Sequence, residues 1–465
     1  MGGNVIQVCS SLSYVSVPSG LREVWERALR ALRTDEIAEL CSALVKAPSE
    51  NPPGDVSPAA DVARAWLSER GHDCEVHEPE RGHINVLARS GEGRPCLMLM
   101  GHMDVVPAGD RARWSFDPFC GAIRDGKVLG RGATDMKGGV ACIMAVYHAL
   151  SGLMDELGGS LLLALVCDEE IGGRLGAGWL TERGFFDGVD ACLISEPTSP
   201  RVAILGERGI CWLRLRAHGR SAHGSIPSLG QNAIEIMMNA LGAMKEVEKA
   251  PVKTPEDVRT VLDEVEELVR SPYDFLGLKG VKKALARIAY GVFGLGKEKL
   301  RAYVEACKSF TMNIGIIRGG TKVNIVPEAC EAEVDVRVPH GASTSHVLSF
   351  VKRILSGLPG RIEVEPISRV EPSFTSPSEA ICKALDKAVE DIVGRGPIHA
   401  LMPATTDGHY LRARGIPTVI YGPGLAHLAH AYDEYVPIEH LELCSRAICL
   451  TAIYFISSGS PRTPR

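Results

Sequence analysis

The sequence predicts an α/β protein in which a smaller α+β domain is inserted into a larger α/β domain. Three features of the hydrophobic pattern indicate this arrangement. Before about residue 210, short all-apolar runs alternate with helical patterns, which is typical of a central sheet covered by helices. From there, apolar and polar residues alternate, as in strands with one solvated face. From about residue 376 the first pattern returns, so the chain is expected to re-enter the larger domain.

The larger domain, residues 1–208 and 374–465, is expected to begin with helices and to continue as alternating strands and helices. Apolar residues at spacings of three and four predict helices at residues 21–32, 34–45, 62–68, 136–150 and 177–184, with Thr34 as an N-cap. All-apolar runs predict buried strands at residues 85–88, 96–100, 160–167 and 191–194. After the insertion, the pattern predicts a helix at 378–393, a strand at 417–421 and a helix at 441–456.

The inserted domain, residues 209–373, is expected to be a sheet with helices on its other face. Alternating runs predict strands at residues 211–217, 311–317 and 329–338, and helical patterns lie at 231–247 and 344–358. Between them, residues 249–308 form a charged stretch that we interpret as a helical insertion, with helices at 257–269, 281–290 and 298–307.

Composition excludes several classes of protein. The formal net charge is −6, from 51 Lys and Arg against 57 Asp and Glu, so the chain is not expected to bind nucleic acid. No apolar run approaches the roughly 20 residues that span a bilayer, and the N-terminus lacks the basic start of a signal peptide. The 14 cysteines are scattered without a C-x-x-C pair, which favours buried thiols in a reducing compartment. We therefore expect a cytoplasmic protein without a membrane partner.

Acidic residues follow three of the buried strands predicted in the larger domain. His102 and Asp104 follow the second strand, Glu169 and Glu170 follow the third, and Glu196 follows the fourth. Asp135 leads into the helix at 136–150. Ligands in open α/β sheets bind beyond the carboxyl ends of the strands, so these side chains are expected to share one pocket. Because like carboxylates repel one another when buried, and because no thiolate accompanies them, the set favours a site for Zn²⁺, Co²⁺ or Mn²⁺.

The spacing within two of these pairs suggests a division of roles. His102 and Asp104 are two residues apart in an extended segment and face the same side, so the carboxylate can orient the imidazole ring. Glu169 and Glu170 are adjacent and are expected to face opposite sides, so that one binds metal while the other acts as a general base. Taken singly, each motif is more often a solvated strand end or a helix cap than a site of chemistry.

Five motifs in this order resemble one family of metallohydrolases. They are Gly101-His102-Met103-Asp104-Val105-Val106-Pro107, Gly130-Arg131-Gly132-Ala133-Thr134-Asp135-Met136-Lys137-Gly138-Gly139, Asp168-Glu169-Glu170, Ser195-Glu196-Pro197-Thr198 and His430-Ala431-Tyr432-Asp433-Glu434. The family contains acetylornithine deacetylase, succinyl-diaminopimelate desuccinylase, carboxypeptidase G2 and the aminoacylases. The resemblance covers about residues 35–455, except 249–308. It implies a mixed-sheet, zinc-peptidase-like catalytic domain and an inserted lid or dimerisation domain.

The resemblance also implies a site with two divalent ions, with Zn²⁺ as first choice and Co²⁺ or Mn²⁺ as alternatives. His102 and Glu196 would bind one ion, Glu170 and His430 the other, and Asp135 would bridge them. Glu169 matches the general base, and Asp104 matches the carboxylate that orients His102. His430 is preferred to His427 because it precedes the Asp433-Glu434 pair at the family's spacing.

In the inserted domain, the resemblance assigns further roles. His223, in Gly219-Arg220-Ser221-Ala222-His223, would stabilise the oxyanion, in dimeric members from the partner subunit. Asn324 and Arg337 would hold a substrate carboxylate, which suits the planar fork of arginine. His409 stands where the family often has an arginine that helps to read the substrate, so the usual acyl specificity does not transfer directly. A homodimer is implied.

The function implied is metal-dependent hydrolysis of an amide bond in an N-acyl amino acid, of the acetylornithine deacetylase or succinyl-diaminopimelate desuccinylase type. A carboxypeptidase or dipeptidase on the same site is the alternative. A non-catalytic binding protein on this fold would lack a ligand or the base, and here all these positions are filled. A nucleotide-binding protein is disfavoured because Gly130-Arg131-Gly132 lacks the third glycine of the dinucleotide motif and no P-loop occurs.

Overall fold

The computed structural model of the protein describes residues 17–270 and 297–459. In these ranges the chain forms a nine-stranded mixed sheet, a four-stranded antiparallel sheet and a small three-stranded sheet. The predicted mixed α/β fold is thereby confirmed. The predicted helix at residues 281–290 and the N-terminal residues 1–16 lie outside the described residues.

The strands, in chain order, are β1 (Glu75–Glu80), β2 (His83–Ser90), β3 (Cys96–His102), β4 (Ile123–Arg124), β5 (Lys127–Leu129), β6 (Ser160–Val166), β7 (Ala191–Ile194), β8 (Val202–Glu207), β9 (Gly209–His218), β10 (Thr311–Gly319), β11 (Ala329–Val338), β12 (Arg361–Val370), β13 (Ser373–Phe374), β14 (Ile398–Met402), β15 (Thr418–Ile420) and β16 (Tyr435–Pro437). The helices are α1 (Arg22–Ala31), α2 (Thr34–Lys46), α3 (Ser57–Glu69), α4 (Gly138–Ser151), α5 (Met154–Leu157), α6 (Trp179–Glu182), α7 (Ala233–Met244), α8 (Glu256–Arg270), α9 (Lys297–Lys308), α10 (Thr344–Ser356), α11 (Ala380–Val393), α12 (Gly408–Ala413) and α13 (Ile438–Ser457).

The large sheet has the strand order β1-β2-β6-β3-β7-β15-β8-β13, and β14 also pairs with β8. Its centre, β6-β3-β7-β15, is parallel, and the strands there are buried almost throughout. Helix α4 is apolar on nearly all sides because it lies between this sheet and helices α1, α2 and α13. The carboxyl ends of β3, β6 and β7 therefore meet at one edge of a rigid core.

The small sheet has the strand order β10-β11-β9-β12 and is antiparallel throughout. Burial alternates along β9 and β11, as predicted from their alternating sequences. The buried face forms its own hydrophobic cluster with helices α7 and α10. The other face carries crossed ion pairs between Arg214, Arg216, Glu331, Glu333 and Glu365.

The chain passes from the large sheet to the small one at Arg208, between β8 and β9, and returns between β12 and β13. Helices α8 and α9 follow the small sheet's first helix in sequence. Their apolar residues nevertheless belong to the large hydrophobic core, and α8 packs against β14. The division of the chain into domains 1–208 with 374–465 and 209–373 stays a prediction.

Most predicted elements are present, with shifted ends. The helix predicted at residues 136–150 begins at Gly138, because Asp135 and Met136 have non-helical backbone dihedrals. Thr34 is the first residue of α2 and does not cap it with its side chain. Strands β1 and β12 were not predicted because they are rich in charged residues and lie at sheet edges. Strands β8 and β14 were also not predicted.

Among the described helices, none combines the length and apolarity that a membrane crossing requires. Every cysteine within residues 17–270 and 297–459 is a free thiol.

Candidate metal centre

Three neighbouring parallel strands deliver the first group of side chains. Strand β3 ends at His102, β6 is followed by a turn over Glu169–Ile171, and β7 is followed by Glu196. Because these strands run parallel in the order β6-β3-β7, their side chains meet at one edge of the sheet. Two further side chains come from loops: Asp135 precedes α4, and His430 precedes β16.

Asp135 lies between the two histidines. Its Oδ1 is 3.3 Å from His102 Nε2, and its Oδ2 is 3.3 Å from His430 Nε2. Each imidazole has a second carboxylate near the same nitrogen, Nε2. Glu196 Oε1 is 3.5 Å from His102 Nε2, and Glu170 Oε2 is 3.1 Å from His430 Nε2. The five side chains thus form two groups of one imidazole and one carboxylate, joined by a shared carboxylate.

Glu169 lies on the His102 side of this arrangement. Its Oε2 is 3.9 Å from His102 Nε2, whereas the neighbouring Glu170 is directed to His430. The backbone here is a tight turn rather than an extended segment, but the two carboxylates still diverge. The site is enclosed on one side and open on the other, since the side chain of His102 is 1% exposed and that of His430 is 55% exposed.

Burial and mutual repulsion perturb the titration of these carboxylates. Burial raises the pKa of Glu169 and of Glu196 well above the usual value. Repulsion from Glu196 raises the pKa of Glu169 further, and repulsion from Asp135 and Glu170 raises that of Glu196. Burial alone would lower the pKa of His102, but the charge of Glu196 and hydrogen bonds to nearby aspartates raise it. Hydrogen bonds to Asp135 and Glu170 raise the pKa of His430 to about 10. The centre therefore contains more carboxyl groups than its two imidazoles can pair with as ions.

Asp104 makes contacts beyond the expected one with His102. The ring Nδ1 of His102 lies 2.9 Å from the carbonyl oxygen of Asp104 and 3.5 Å from its carboxylate. The carboxylate accepts hydrogen bonds from the backbone amides of Glu169 and Glu170, each at 3.2 Å. The side chain of Asn51 donates to it as well, at 2.9 Å. Asp104 thus connects the ring of His102 with the turn that carries both glutamates.

The donor set fits divalent cations. It consists of two imidazoles and several carboxylates without a thiolate, which suits Zn²⁺, Co²⁺ or Mn²⁺. Two groups of three have their ligand atoms within 4.8 Å of one another: His102 with Asp135 and Glu170, and His102 with Glu169 and Glu196. Positive charge at this position would also relieve the repulsion that raises the carboxylate pKa values.

None of the three predicted substrate residues makes a hydrogen bond or ion pair with this cluster within the described residues. Arg337 lies at the end of β11, and its Nε pairs with Asp335 on the same strand at 3.0 Å. His409 lies on α12, where its Nδ1 is 2.7 Å from the carbonyl oxygen of Thr406 and its ring packs on Tyr410. His409 therefore belongs to the large-sheet part of the molecule and Arg337 to the small sheet.

His223 and Asn324 lie on adjoining loops of the small-sheet part. A backbone bridge links His223 to Ile325, and Gly224 N donates to the carbonyl oxygen of Asn324 at 2.8 Å. The His223 ring accepts or donates a hydrogen bond with Ser225 at 2.6 Å. These loops border a cavity of about 530 Å³, lined by Gly224, Asn232, Gly319, Gly320, Lys322 and Ile325 among others. The cavity mouth is solvent-exposed.

Several residues near the centre were not singled out from the sequence. Asn51 was interpreted only as part of a turn, yet it donates to both Asp104 and Asp168. Asp407 lies in a segment noted only for His409, yet it is buried, and burial raises the pKa of its carboxyl to about 8. Each of the two brings a polar side chain to the buried side of the centre from a part of the chain far from the motif residues that it faces. A sequence motif gives no signal for such long-range contacts.

A model of the peptidase family M20/M25/M40 matches residues 98–453. The chain belongs to this family. The resemblance drawn from the five motifs is confirmed by that match. Members of the M20 family are hydrolases, and the protein is an enzyme that hydrolyses amide bonds.

Similar proteins agree with this assignment. The chain is 29% identical over 374 residues to a probable succinyl-diaminopimelate desuccinylase of Staphylococcus epidermidis, covering 80% of this chain and 86% of that protein. It is 30% identical over 391 residues to an acetylornithine deacetylase of Vibrio campbellii, covering 81% and 86%. Its fold is similar to that of an M20 family metallo-carboxypeptidase from Sulfolobus solfataricus, with a TM-score of 0.69, 19% identity and coverage of 95% and 100%.

Proposed function

We propose that this M20 enzyme is a deacylase that uses two divalent metal ions to hydrolyse the amide bond of N-acyl amino acids. The position of Asp135 carries the proposal. Its two carboxylate oxygens each lie 3.3 Å from a different imidazole, and each imidazole has a further carboxylate beside it. That arrangement offers two adjacent cation positions with one shared ligand.

In this proposal His102 and Glu196 would hold one ion, Glu170 and His430 would hold the other, and Asp135 would be shared by both. Bound ions would supply Lewis-acid activation of the scissile carbonyl and of the attacking water. Zn²⁺ is the first choice of metal, and Co²⁺ and Mn²⁺ suit the same donors. Asp104 fixes the turn of the two glutamates and, through its carbonyl oxygen, the tautomer of His102.

Glu169 acts as the general base in the proposed mechanism. It lies beside the centre, 3.9 Å from His102 Nε2, and is not needed to complete either ion position. Its carboxylate takes the proton of the attacking water and returns it to the leaving nitrogen. Burial raises the pKa of Glu169, which makes its carboxylate a stronger proton acceptor, and bound cations would keep that carboxylate ionised.

The names of the two relatives support an N-acetyl or N-succinyl amino acid as the substrate. We infer that Arg337 and Asn324 bind its carboxylate and that His223 stabilises the oxyanion, after the small-sheet part, residues 209–373, closes over the centre as a lid. Arg337 then exchanges its partner Asp335 for the substrate. His409 offers an imidazole where the family often has a guanidinium, so the acyl group that this enzyme prefers can differ from those of the two relatives.

A peptidase is the second candidate. The structural neighbour from Sulfolobus solfataricus is named a metallo-carboxypeptidase, and the same centre would serve peptide bonds. A free carboxylate on the amine side of the scissile bond is common to both classes of substrate. Hydrolysis rates with N-acetylornithine, N-succinyl-diaminopimelate and a set of dipeptides distinguish the two: a deacylase releases acyl groups at least about tenfold faster than it cleaves dipeptides, a gap of about 1.4 kcal/mol in activation free energy.

A homodimer through the small sheet is also proposed. Strand β10 lies at the edge of that sheet and exposes Ile314, Ile316 and Ile317. Exposed edge strands with apolar side chains favour pairing with another chain. Sedimentation velocity would report a dimer, and Ile316→Lys would shift it towards monomer.

Adjacent glutamates provide a matched test of the catalytic roles. Glu169→Gln should retain both ions and lower kcat by about 100- to 10,000-fold, because only the proton acceptor is lost. Glu170→Gln should lose or weaken one ion. Metal content by mass spectrometry and kcat on the best substrate measure both effects. Near-normal kcat in Glu169→Gln would remove the assigned base, and a wild type without metal after incubation with Zn²⁺ or Co²⁺ would remove the proposed centre.

A further inference from the structure

Two buried residues next to the candidate metal centre have no role in the proposed mechanism. Arg131 lies in the loop before α4, and Glu434 lies directly before β16. Their side chains are 3% and 0% exposed, and Arg131 Nη1 is 2.5 Å from Glu434 Oε2. Desolvating two charges is costly unless each makes further hydrogen bonds, so the partners of this pair indicate what it does.

Glu434 holds the backbone that carries Asp135. Its Oε1 accepts hydrogen bonds from the backbone amides of Thr134 at 2.9 Å and Asp135 at 3.0 Å. Thr134 Oγ1 in turn donates to the carbonyl oxygen of Tyr435 at 2.6 Å. The carboxylate therefore fixes the segment at the point where its backbone is not helical and Asp135 is presented to both histidines.

Arg131 holds the backbone that carries His430. Its Nη1 donates to the carbonyl oxygen of Ala431 at 3.0 Å, and its Nη2 donates to that of His430 at 3.4 Å. His430 itself belongs to no helix or strand, and its side chain is 55% exposed. Its backbone has a φ of 62°, a conformation that non-glycine residues adopt only when their surroundings impose it. Arg131 supplies such a constraint.

We propose that Arg131 and Glu434 form a positioning pair that fixes the separation of Asp135 and His430, and that it thereby sets the affinity for one of the two metal ions. The inference rests on the proposed function. The ion concerned is the one assigned to Glu170 and His430, because Asp135 is shared by both ions whereas His430, held by Arg131, belongs to this one alone. The other ion also uses Asp135, but its remaining ligands, His102 and Glu196, lie at the ends of strands of the rigid sheet and make no hydrogen bond or ion pair with Arg131 or Glu434 within the described residues.

Conservative substitutions test the pair. Glu434→Gln keeps an oxygen that can accept from the amides of Thr134 and Asp135, but it removes the charge facing Arg131. Arg131→Lys keeps the charge but loses the planar fork that reaches two carbonyl oxygens. Each should raise the dissociation constant of one ion by about 10- to 100-fold, which is the usual effect of removing a partner that orients metal ligands. The other ion should bind within about threefold of the wild type.

Two ligand variants identify the affected ion. Stepwise Co²⁺ titration of the full-length apoprotein, followed by visible absorption and by equilibrium dialysis, resolves the two binding events without measuring turnover. The event weakened in Glu434→Gln should be the one lost in Glu170→Gln and not the one lost in Glu196→Gln. The double variant Arg131→Lys with Glu434→Gln should weaken that event by less than the product of the single effects, because the pair acts as a unit.

Asp190→Asn is the matched control for the carboxylate change. Asp190 is also buried and ion-paired, with Arg94, and it accepts a hydrogen bond from Cys96 N at 2.8 Å. It lies at the amino end of β3, opposite the end that carries His102. Near-ultraviolet circular dichroism verifies the fold of each variant. If Glu434→Gln does not fold, Arg131→Lys decides the question.

The outcomes separate this inference from the proposed function. Selective weakening of the Glu170 event, with the control unchanged, supports the pair. Two ions bound at wild-type affinity in both folded variants would overturn the pair and leave the proposed function intact. Equal weakening of both events would also overturn it, since that result indicates a general structural role. A wild type that binds no Co²⁺ would overturn both together.

Discussion

We predict that breaking a second buried ion pair, Glu207 with Arg412, strongly lowers the stability of the fold and also affects the candidate metal centre. The two side chains are 1% and 3% exposed and are in direct contact through Arg412 Nη1 and Glu207 Oε1. Glu207 also accepts hydrogen bonds from the amide and the hydroxyl of Thr406, the latter at 3.0 Å. The segment that begins at Thr406 carries Asp407, which is buried, and His409, which is partly exposed. Glu207 thus supports a loop beside the centre.

Glu207→Gln removes the charge without changing the volume of the side chain. The guanidinium of Arg412 would then be buried without a counter-charge, which costs about 3–5 kcal/mol in comparable pairs. Arg412 keeps a hydrogen bond to the carbonyl oxygen of Thr418 at 2.9 Å. We therefore expect the lower end of the range, about 3 kcal/mol. Because the loop of Thr406 also loses an anionic acceptor, KM should rise together with the loss of stability.

Urea-induced unfolding of the apoprotein, followed by circular dichroism, measures the free energy of unfolding. Glu331→Gln is the matched control, because Glu331 pairs with Arg216 on the solvated face of the small sheet and the two side chains are 38% and 42% exposed. That control should cost at most about 1 kcal/mol. The double variant Glu207→Gln with Arg412→Met should cost less than the sum of the single variants. A cost below about 1 kcal/mol for Glu207→Gln, or strict additivity, would refute the reasoning about the buried charge.

Two further predictions concern helix glycines and a histidine pair. Gly242→Ala should raise the free energy of unfolding by about 0.5–1 kcal/mol, since nothing lies within 4 Å of the added methyl group. Gly139→Ala should lower the free energy of unfolding by several times that amount, because its methyl group would lie 1.9 Å from the carbonyl oxygen of Ser195. Equal urea midpoints for the two variants would contradict the steric argument. His72 Nε2 and His148 Nδ1 are 2.9 Å apart, and burial lowers the pKa of both rings. Below about pH 6.5 the unfolded chain therefore binds protons more readily than the folded one, and the free energy of unfolding should decrease as the pH is lowered. The double variant His72→Gln with His148→Gln should show a smaller decrease in thermal midpoint between about pH 7.5 and pH 5.5 than the wild type. An unchanged pH profile in the double variant would show that other groups cause the fall.

The sequence allowed the centre to be predicted where local pattern and topology coincide. His102 ends a short apolar strand, and Glu169 and Glu196 come directly after two neighbouring ones. Parallel neighbouring strands bring such residues to one edge of the sheet. The sequence alone indicated the shared pocket, and the family resemblance supplied Asp135 and His430 with their roles. Those two residues lie on loops, where neither periodicity nor strand order determines the side-chain direction.

The supporting contacts could not be predicted, because each joins residues far apart in the chain. Asn51 reaches Asp104 across 53 positions, and Glu434 reaches Thr134 across 300. Strand β12 was overlooked for a different reason: its charged residues pair across the solvated face of the small sheet, so the strand has little apolar signal of its own. Local propensity is weak where side chains outside the segment provide the stabilisation.

The two halves of the centre differ in how the chain supports them. His102 and Glu196 extend from adjacent parallel strands whose register fixes their spacing through backbone hydrogen bonds. Asp135 and His430 come from irregular segments about 300 residues apart in sequence, and a buried ion pair supplies the spacing that strand pairing supplies on the other side. Rigidity on one side is therefore a property of the fold, whereas on the other side it depends on two side chains. In such a site, changes in the loops can alter the positions of Asp135 and His430, while the sheet keeps His102 and Glu196 in place.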